Sequence, residues 1–325
     1  MKALLSVDNL AIEFATDEGV IRAVDGVSFA IRAGESLGLV GESGCGKSVT
    51  ALGLTRLIAS PPGRIVSGSV DFDGRDLLQL HTRDLRAVRG NEISMIFQEP
   101  LSALSPLHRI GRQLTEAIGF HHRMSKKAAR EYAVSWLQKV GIPDAQSRMD
   151  AYPFQLSGGM QQRVMIAMAL MLSPKLVIAD EPTTALDVTT QAQIFAMIRE
   201  MMQNQTSLLL ITHDMGVVWE MCDRVIVMYA SRIVETADIE TLFAAPAHPY
   251  TRGLMAAIPK LAGGRNHLTD IPGQVPSPLD YPAGCRFQDR CPDVFDRCRT
   301  QDPALVACGK GHLAACFLLY PDKGA

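Results

Sequence analysis

The sequence predicts an α/β fold built on a buried parallel sheet, followed by a small irregular C-terminal appendage. Three observations predict it. Short apolar runs alternate with longer helix-compatible stretches up to about residue 245. A glycine-rich loop joins one of these runs to the helical stretch after it. Finally, residues 246–325 hold ten of the 18 prolines. Continuous apolar strands separated by helices are the pattern of a sheet covered on both faces. Proline fixes φ and lacks a backbone donor, so the tail cannot be mainly helix or central strand.

Taken in order, residues 1–14 alternate apolar and polar side chains and end in the β-rich run Ala11–Phe14. A secretory signal would begin with basic residues and continue as an apolar block, so none is expected here. The apolar run Ser36–Val40 leads into Gly41-Glu42-Ser43-Gly44-Cys45-Gly46-Lys47-Ser48, which fits G-x-x-x-x-G-K-[ST] at every position. Glycines let such a loop curl so that successive N–H groups point inward at phosphate oxygens. The following helix adds the positive end of its dipole. Lys47 is then placed to reach the β- and γ-phosphates of ATP, and the Ser48 hydroxyl to ligate Mg²⁺. Cys45 reads as a small filler of the loop; the sharper alternative is a thiol activated by the helix end and Lys47.

Further along, the strand-like run Ile93–Phe97 precedes Gln98, and helical stretches are expected at Lys126–Val140, Gln161–Leu172 and Thr190–Asn204. Leu156-Ser157-Gly158-Gly159-Met160 opens the second of these. A serine and two glycines at a helix start make a second anion-binding N-terminus, separate from the phosphate loop. One chain has little use for two such caps unless a nucleotide is sandwiched between two molecules. Leu176–Ala179 reads as a buried strand ending in Asp180 and Glu181. Acids at a strand end border the ligand crevice of an open α/β sheet: Asp180 suits the Mg²⁺ shell, and Glu181 suits activation of the attacking water. The run Leu208–Thr212 places His213 at another strand end, and Val225–Tyr229 closes the series.

These motifs resemble the ABC ATPase family, whose signature LSGGQ is matched here with Met160 in place of glutamine. The resemblance covers about residues 5–245 and has the motifs in order: phosphate loop, Gln98, signature, Asp180-Glu181, Ala185-Leu186-Asp187 and His213. It implies an ABC-type nucleotide-binding fold, with a RecA-like mixed sheet and a helical subdomain at about residues 100–165. It also implies a head-to-tail dimer in which each ATP lies between one phosphate loop and the partner's Ser157 cap. Asp187 would bridge the two sites. Gln98 would join the Mg²⁺ shell and sense the γ-phosphate, and His213 would hold water and Glu181 in line. Phe14 is the candidate for stacking on adenine, with an insert at Ala15–Ile21 beside it.

The tail narrows the resemblance. Ala247-His-Pro-Tyr-Thr251 and the cysteines of the tail resemble the oligopeptide, dipeptide and nickel uptake branch of ABC importers. Five of the seven cysteines lie in the tail. Without an export signal, such clustering favours metal or cluster ligation over disulfides. Cys285, Cys291, Cys298 and Cys316 look like the set that holds a [4Fe–4S] cluster in this branch, with Cys308 outside it. Thiolates suit Zn²⁺ as well, although paired C-x2-C knuckles are absent. The branch implies a second, different ATPase chain, two permease subunits and an external solute-binding protein. The expected place is the cytoplasmic face of a bacterial inner membrane. Dipeptides, longer peptides, nickel chelates and opine-like molecules are all open as solutes.

Composition excludes several other classes. The 325-residue chain is 47% hydrophobic and 20% charged, with a formal net charge of −2. That balance gives no basic stripe for nucleic acid and no polybasic membrane tether. The apolar run Val164–Leu172 is about half the length of roughly 20 residues that a spanning helix needs. A soluble ABC ATPase acting on ribosomes or nucleic acid would call for a coiled-coil insert, a tandem domain or a basic face. A degenerate ATPase would lack Glu181 or His213, and both are present.

Overall fold

The computed structural model describes residues 3–183, 188–202, 206–257 and 271–320. The chain divides into two compact units. One comprises Arg32–Glu35 and Gln79–Leu210; the other comprises Ala3–Ile31, Ser36–Leu78 and the described residues from Ile211 onward.

In chain order the elements begin with β1 (Ala3–Thr16), β2 (Gly19–Arg32), β3 (Ser36–Val40), α1 (Lys47–Leu54), β4 (Gly63–Phe72) and β5 (Arg75–Asp76). There follow α2 (Thr82–Val88), β6 (Ile93–Ile96), α3 (Pro100–Ala103), α4 (Ile110–His121), α5 (Lys126–Lys139) and α6 (Ala145–Arg148). Next come α7 (Gly158–Leu170), β7 (Leu176–Asp180), α8 (Val188–Met202), β8 (Ser207–Ile211), α9 (Met215–Met221), β9 (Arg224–Tyr229) and β10 (Arg232–Asp238). After β10 come α10 (Ile239–Ala244) and then, in the tail, α11 (Pro249–Ala256), α12 (Asp296–Thr300), β11 (Val306–Gly309) and β12 (His312–Ala314).

The unit containing residues 79–210 holds β8, β7 and β6 side by side, with β6 and β7 parallel. Every residue of β7 and β8 is buried. Their apolar runs do not alternate because both faces are covered. Helices α3 to α7 belong to the same unit, and Trp136, Leu137 and Ala133 of α5 supply part of its core. Ser125 caps α5 by accepting the Ala128 N–H, a bond that satisfies one of the helix's orphan donors.

The other unit contains two sheets. In the first, the order is β2-β1-β4-β5, and β1 pairs antiparallel with β4. Residues 15–21 form the tip of the β1–β2 hairpin, where Thr16 Oγ1 donates to the Gly19 carbonyl at 2.7 Å. β2 is buried mainly at alternate positions, as a strand with one wet face should be, and so it lacks the apolar run that marked the others. In the second sheet the order is β11-β12-β10-β9-β3; β3 and β9 are parallel, whereas β9, β10, β12 and β11 pair antiparallel. The sheet is therefore mixed rather than purely parallel. The described part of the tail is mainly irregular, as its prolines suggested, and Pro249 is accommodated at the first helical position of α11, where the missing N–H costs nothing.

Candidate nucleotide site

The phosphate loop follows β3, all five of whose residues are buried. Gly41 has φ 152°, and a Cβ there would lie 2.2 Å from the Met228 carbonyl oxygen. Gly46 caps α1 in a left-handed conformation, φ 101°, with the Ala23 carbonyl oxygen at 2.2 Å from any added Cβ. Both positions demand glycine on backbone and steric grounds. Lys47 is buried, and its ammonium donates to the carbonyls of Gly41 at 2.8 Å and Glu42 at 2.9 Å. Ser43 and Gly44 are exposed and Ser48 is half-buried at the start of α1. Cys45 is fully buried, and burial pushes its thiol up even though Lys47 opposes the shift. That environment supports the filler reading over an activated nucleophile.

In this same unit His213 is exposed, immediately before Asp214, whose carboxylate caps α9 by accepting the Gly216 and Val217 N–H groups. Phe14 stands in β1 opposite Gly63, with its Cε1 2.9 Å from where a Gly63 Cβ would sit.

In the other unit, β7 delivers Asp180, buried, and then Glu181. Glu181 has φ 43°, a left-handed conformation that costs a non-glycine residue about 1–3 kcal/mol and concentrates at functional sites. Gln98, just beyond β6, donates through Nε2 to Glu181 Oε2 at 3.2 Å. Sequence reasoning put both at strand ends, and the parallel β6–β7 pair brings their side chains together. Ser157 caps the 13-residue α7, its hydroxyl accepting the Met160 N–H at 3.4 Å. Leu156 is buried beneath the cap, Gly158 is exposed, and Gly159 and Met160 are half-buried. Among the described residues nothing lies within 4 Å of a Cβ built on Gly158. Asp187 falls outside the described residues.

Residues 24–184 match the family described as ABC transporter, and residues 234–298 match the family described as oligopeptide/dipeptide transporter, C-terminal region. The chain is 50% identical to the oligopeptide transport ATP-binding protein AppD of Bacillus subtilis, covering 100% of this chain and 99% of that one. It is 46% identical to the dipeptide transport ATP-binding protein DppD of Escherichia coli, over 99% of this chain and 98% of that one. The chain belongs to the ABC transporter ATP-binding family. Among solved structures, it resembles the ATP-binding cassette MJ0796, a dimer in a post-hydrolysis state with ADP and Pi. That likeness has a TM-score of 0.66 and 27% identity, and covers 72% of this chain and 98% of that one. As a family member this chain is an ATPase that uses ATP and Mg²⁺, and its fold is that of the cassette.

Two features of this ABC ATPase escaped the sequence. Gln162, buried on α7, donates through its Nε2 to the Pro182 carbonyl and so ties the signature helix to the segment after Glu181. Nothing in the sequence sets Gln162 apart from its polar neighbours Gln161 and Arg163. Glu42, an unspecified position of the phosphate-loop motif, is held by tail residues Tyr250 and Arg290. In the tail, Cys285, Cys291, Cys298 and Cys316 line one small pocket, while exposed Cys308 donates to the His312 carbonyl instead. Among the described residues no group of three or more His, Cys, Asp or Glu side chains is arranged to hold a metal. No described helix is long and apolar enough to cross a membrane.

Proposed function

We propose that this ATPase energises import of dipeptides, oligopeptides or a related small solute, with residues 1–245 as ATPase domain and 246–325 as the branch-specific extension. The peptide reading rests on the names of the relatives and on the tail family that residues 234–298 match. In this reading the subunit sits on the cytoplasmic face of the inner membrane against two permease subunits. It pairs with a second, different ATPase chain and receives solute from an external binding protein.

The observation that carries the mechanism is the second anion-ready helix end. Ser157 and Gly158 are exposed, and the space beside Gly158 is open among the described residues. A partner's γ-phosphate there would meet the free N–H groups and positive end of α7. The loop Gly41–Ser48 cradles the phosphates of this chain's own ATP, with Lys47 leaving its two carbonyls for the phosphate oxygens. By the family resemblance, Ser48, Gln98 and Asp180 are the residues that would hold Mg²⁺, which would neutralise charge on the phosphates. Glu181 takes the proton of the attacking water and His213 keeps that water in line. ATP thus closes the dimer, hydrolysis releases it, and the permease alternates with it.

Glu181→Gln, mixed with its cognate partner chain and ATP, is expected to accumulate as a nucleotide-bound dimer in gel filtration. Turnover should fall about a hundredfold or more. Retained turnover would remove Glu181 as the base, and absence of ATP-dependent association would remove the sandwich.

Cys285, Cys291, Cys298 and Cys316 in this reading hold a thiolate-ligated group, a [4Fe–4S] cluster by resemblance. One observation supports the fit: the four cysteines line a single pocket. Burial pushes the Cys285 and Cys291 thiols up to about 11, with the neighbouring sulfurs adding to the shift. A bound cation would neutralise four such thiolates and link segments distant in sequence. Anaerobically purified protein should contain iron and acid-labile sulfide and absorb in the sulfur-to-iron charge-transfer region. Zinc without iron would replace the cluster, and metal-free protein would refute ligation.

A further inference from the structure

Glu42 follows the first glycine of the phosphate loop, and every polar group it carries is engaged. Its N–H donates to Tyr250 Oη at 2.8 Å, and its carbonyl accepts the Lys47 ammonium at 2.9 Å. Its carboxylate receives a two-pronged bond from Arg290, Nη1 to Oε2 at 2.6 Å and Nη2 to Oε1 at 3.0 Å. Two of these three partners come from beyond residue 245, and the third is the motif lysine itself.

Arg290 is built to hold one position. Its side chain is only 4% exposed. Nε donates to the Pro272 carbonyl at 3.0 Å and Nη2 to the Ile271 carbonyl at 3.2 Å. The guanidinium lies over the rings of Tyr229 and Phe287, 5.8 and 5.9 Å from their centroids. Tyr250 is fully buried against the same rings, 4.6 Å from Tyr229 and 5.5 Å from Phe287. A planar fork with fixed donors specifies carboxylate geometry in a way an ammonium cannot. Its backbone is fixed as well: the Arg290 N–H donates to Phe287, the Gln288 N–H to Cys285, and the Cys285 N–H to Cys298. Arg290 therefore sits on a short, internally bonded loop between two pocket cysteines.

We propose that Arg290 is a positioning residue for ATP binding, holding the phosphate loop through Glu42 so that the tail loop Cys285–Cys291 sets nucleotide affinity. The inference rests on reading Gly41–Ser48 as the phosphate cradle. An ATPase core with this loop needs no tail to bind phosphate; this chain routes the loop's first turn through one. Losing the Arg290 grip on Glu42 removes the brace on the loop's first turn and lets the loop amides diverge. The loss then falls on ground-state binding of ATP rather than on the chemical step.

The test uses full-length protein, a fluorescent ATP analogue with Mg²⁺ for Kd, and steady-state ATPase with the partner chain. Arg290→Gln and Glu42→Gln are each expected to raise Kd and KM about tenfold while kcat at saturating ATP stays within about twofold. The double variant should be no worse than either single one, because both break one interaction. Arg290→Lys, which keeps the charge and stem, should fall between and serves if the glutamine variant does not fold. Arg286→Gln is the control on the same loop, since Arg286 pairs with Asp25 and the Ala230 carbonyl instead of the phosphate loop. It should bind ATP like wild type. Unchanged affinity in Arg290→Gln, additive losses, or an equal loss in Arg286→Gln would overturn the proposal. Lys47→Ala separates the premise: if it binds ATP normally, the phosphate-cradle reading fails first.

Discussion

A histidine whose ring nitrogen accepts a backbone hydrogen bond must stay neutral, and His248 is such a residue. Its Nδ1 accepts the Tyr250 N–H at 3.0 Å at the start of α11. Burial, with Arg252 adding repulsion, pushes His248 down to about 3. Above the ordinary histidine pKa of about 6.5 both folded and unfolded chains are neutral there, so the stabilisation is complete. Below it the unfolded chain takes up a proton that the folded one refuses, and stability falls continuously toward pH 3. The expected loss from this residue is about 1.4 kcal/mol between pH 7.5 and 5.5. Urea unfolding at the two pH values should reveal it, with His248→Asn, which keeps an acceptor, losing less across the interval. An identical pH dependence in the variant would assign the acid limb to other groups. Glu181 makes the same point from the opposite side: the chemistry expected of it was legible as a residue type, whereas its left-handed backbone was not.

At the scale of elements, Glu235 of β10 shows how a strand upstream of the tail anchors it. In the sequence Glu235 stands outside every motif, between Val234 and Thr236. A bulge between Ile233 and Glu235 shifts the strand's alternation by one. Glu235 is fully buried and accepts three hydrogen bonds: the Ala247 N–H at 2.7 Å, the His248 N–H at 2.8 Å and His312 Nε2 at 2.7 Å. One carboxylate thus joins β10 to the entry of α11 and to β12, which pairs with β10 at Ala314 and Leu313. Glu235→Ala should cost about 3–5 kcal/mol in denaturant unfolding, because it strands three buried donors. Glu235→Gln, which retains one acceptor oxygen, should cost less; equal losses would point to volume rather than hydrogen bonding. The prolines foretold interruptions correctly but not what lies between them. The short β11–β12 pair and α11 depend on partners more than 70 residues upstream in one case and on a helix-compatible proline in the other.

Across the whole molecule, what was readable in the sequence was local. The phosphate loop, the capped Ser157 helix, the acid pair after a buried strand and the histidine after another each carry their chemistry within about eight residues. Buried strands β3, β7 and β8 were legible because a sheet covered on both faces needs continuous apolar runs. The strands β2, β4 and β10 were not, because half-wet or bulged strands mix polar and apolar residues much as loops do. By itself the sequence determined the cassette fold and the branch of the family, since phosphate chemistry dictates residue types at short spacing. Only the tertiary structure decided that Gln98 meets Glu181, that Gln162 ties α7 to Pro182, and that Arg290 grips Glu42 from 248 positions away. The physical reason is that these bonds join elements by sheet pairing and tail docking. Such long-range contacts leave no periodic or local mark on the residues that make them.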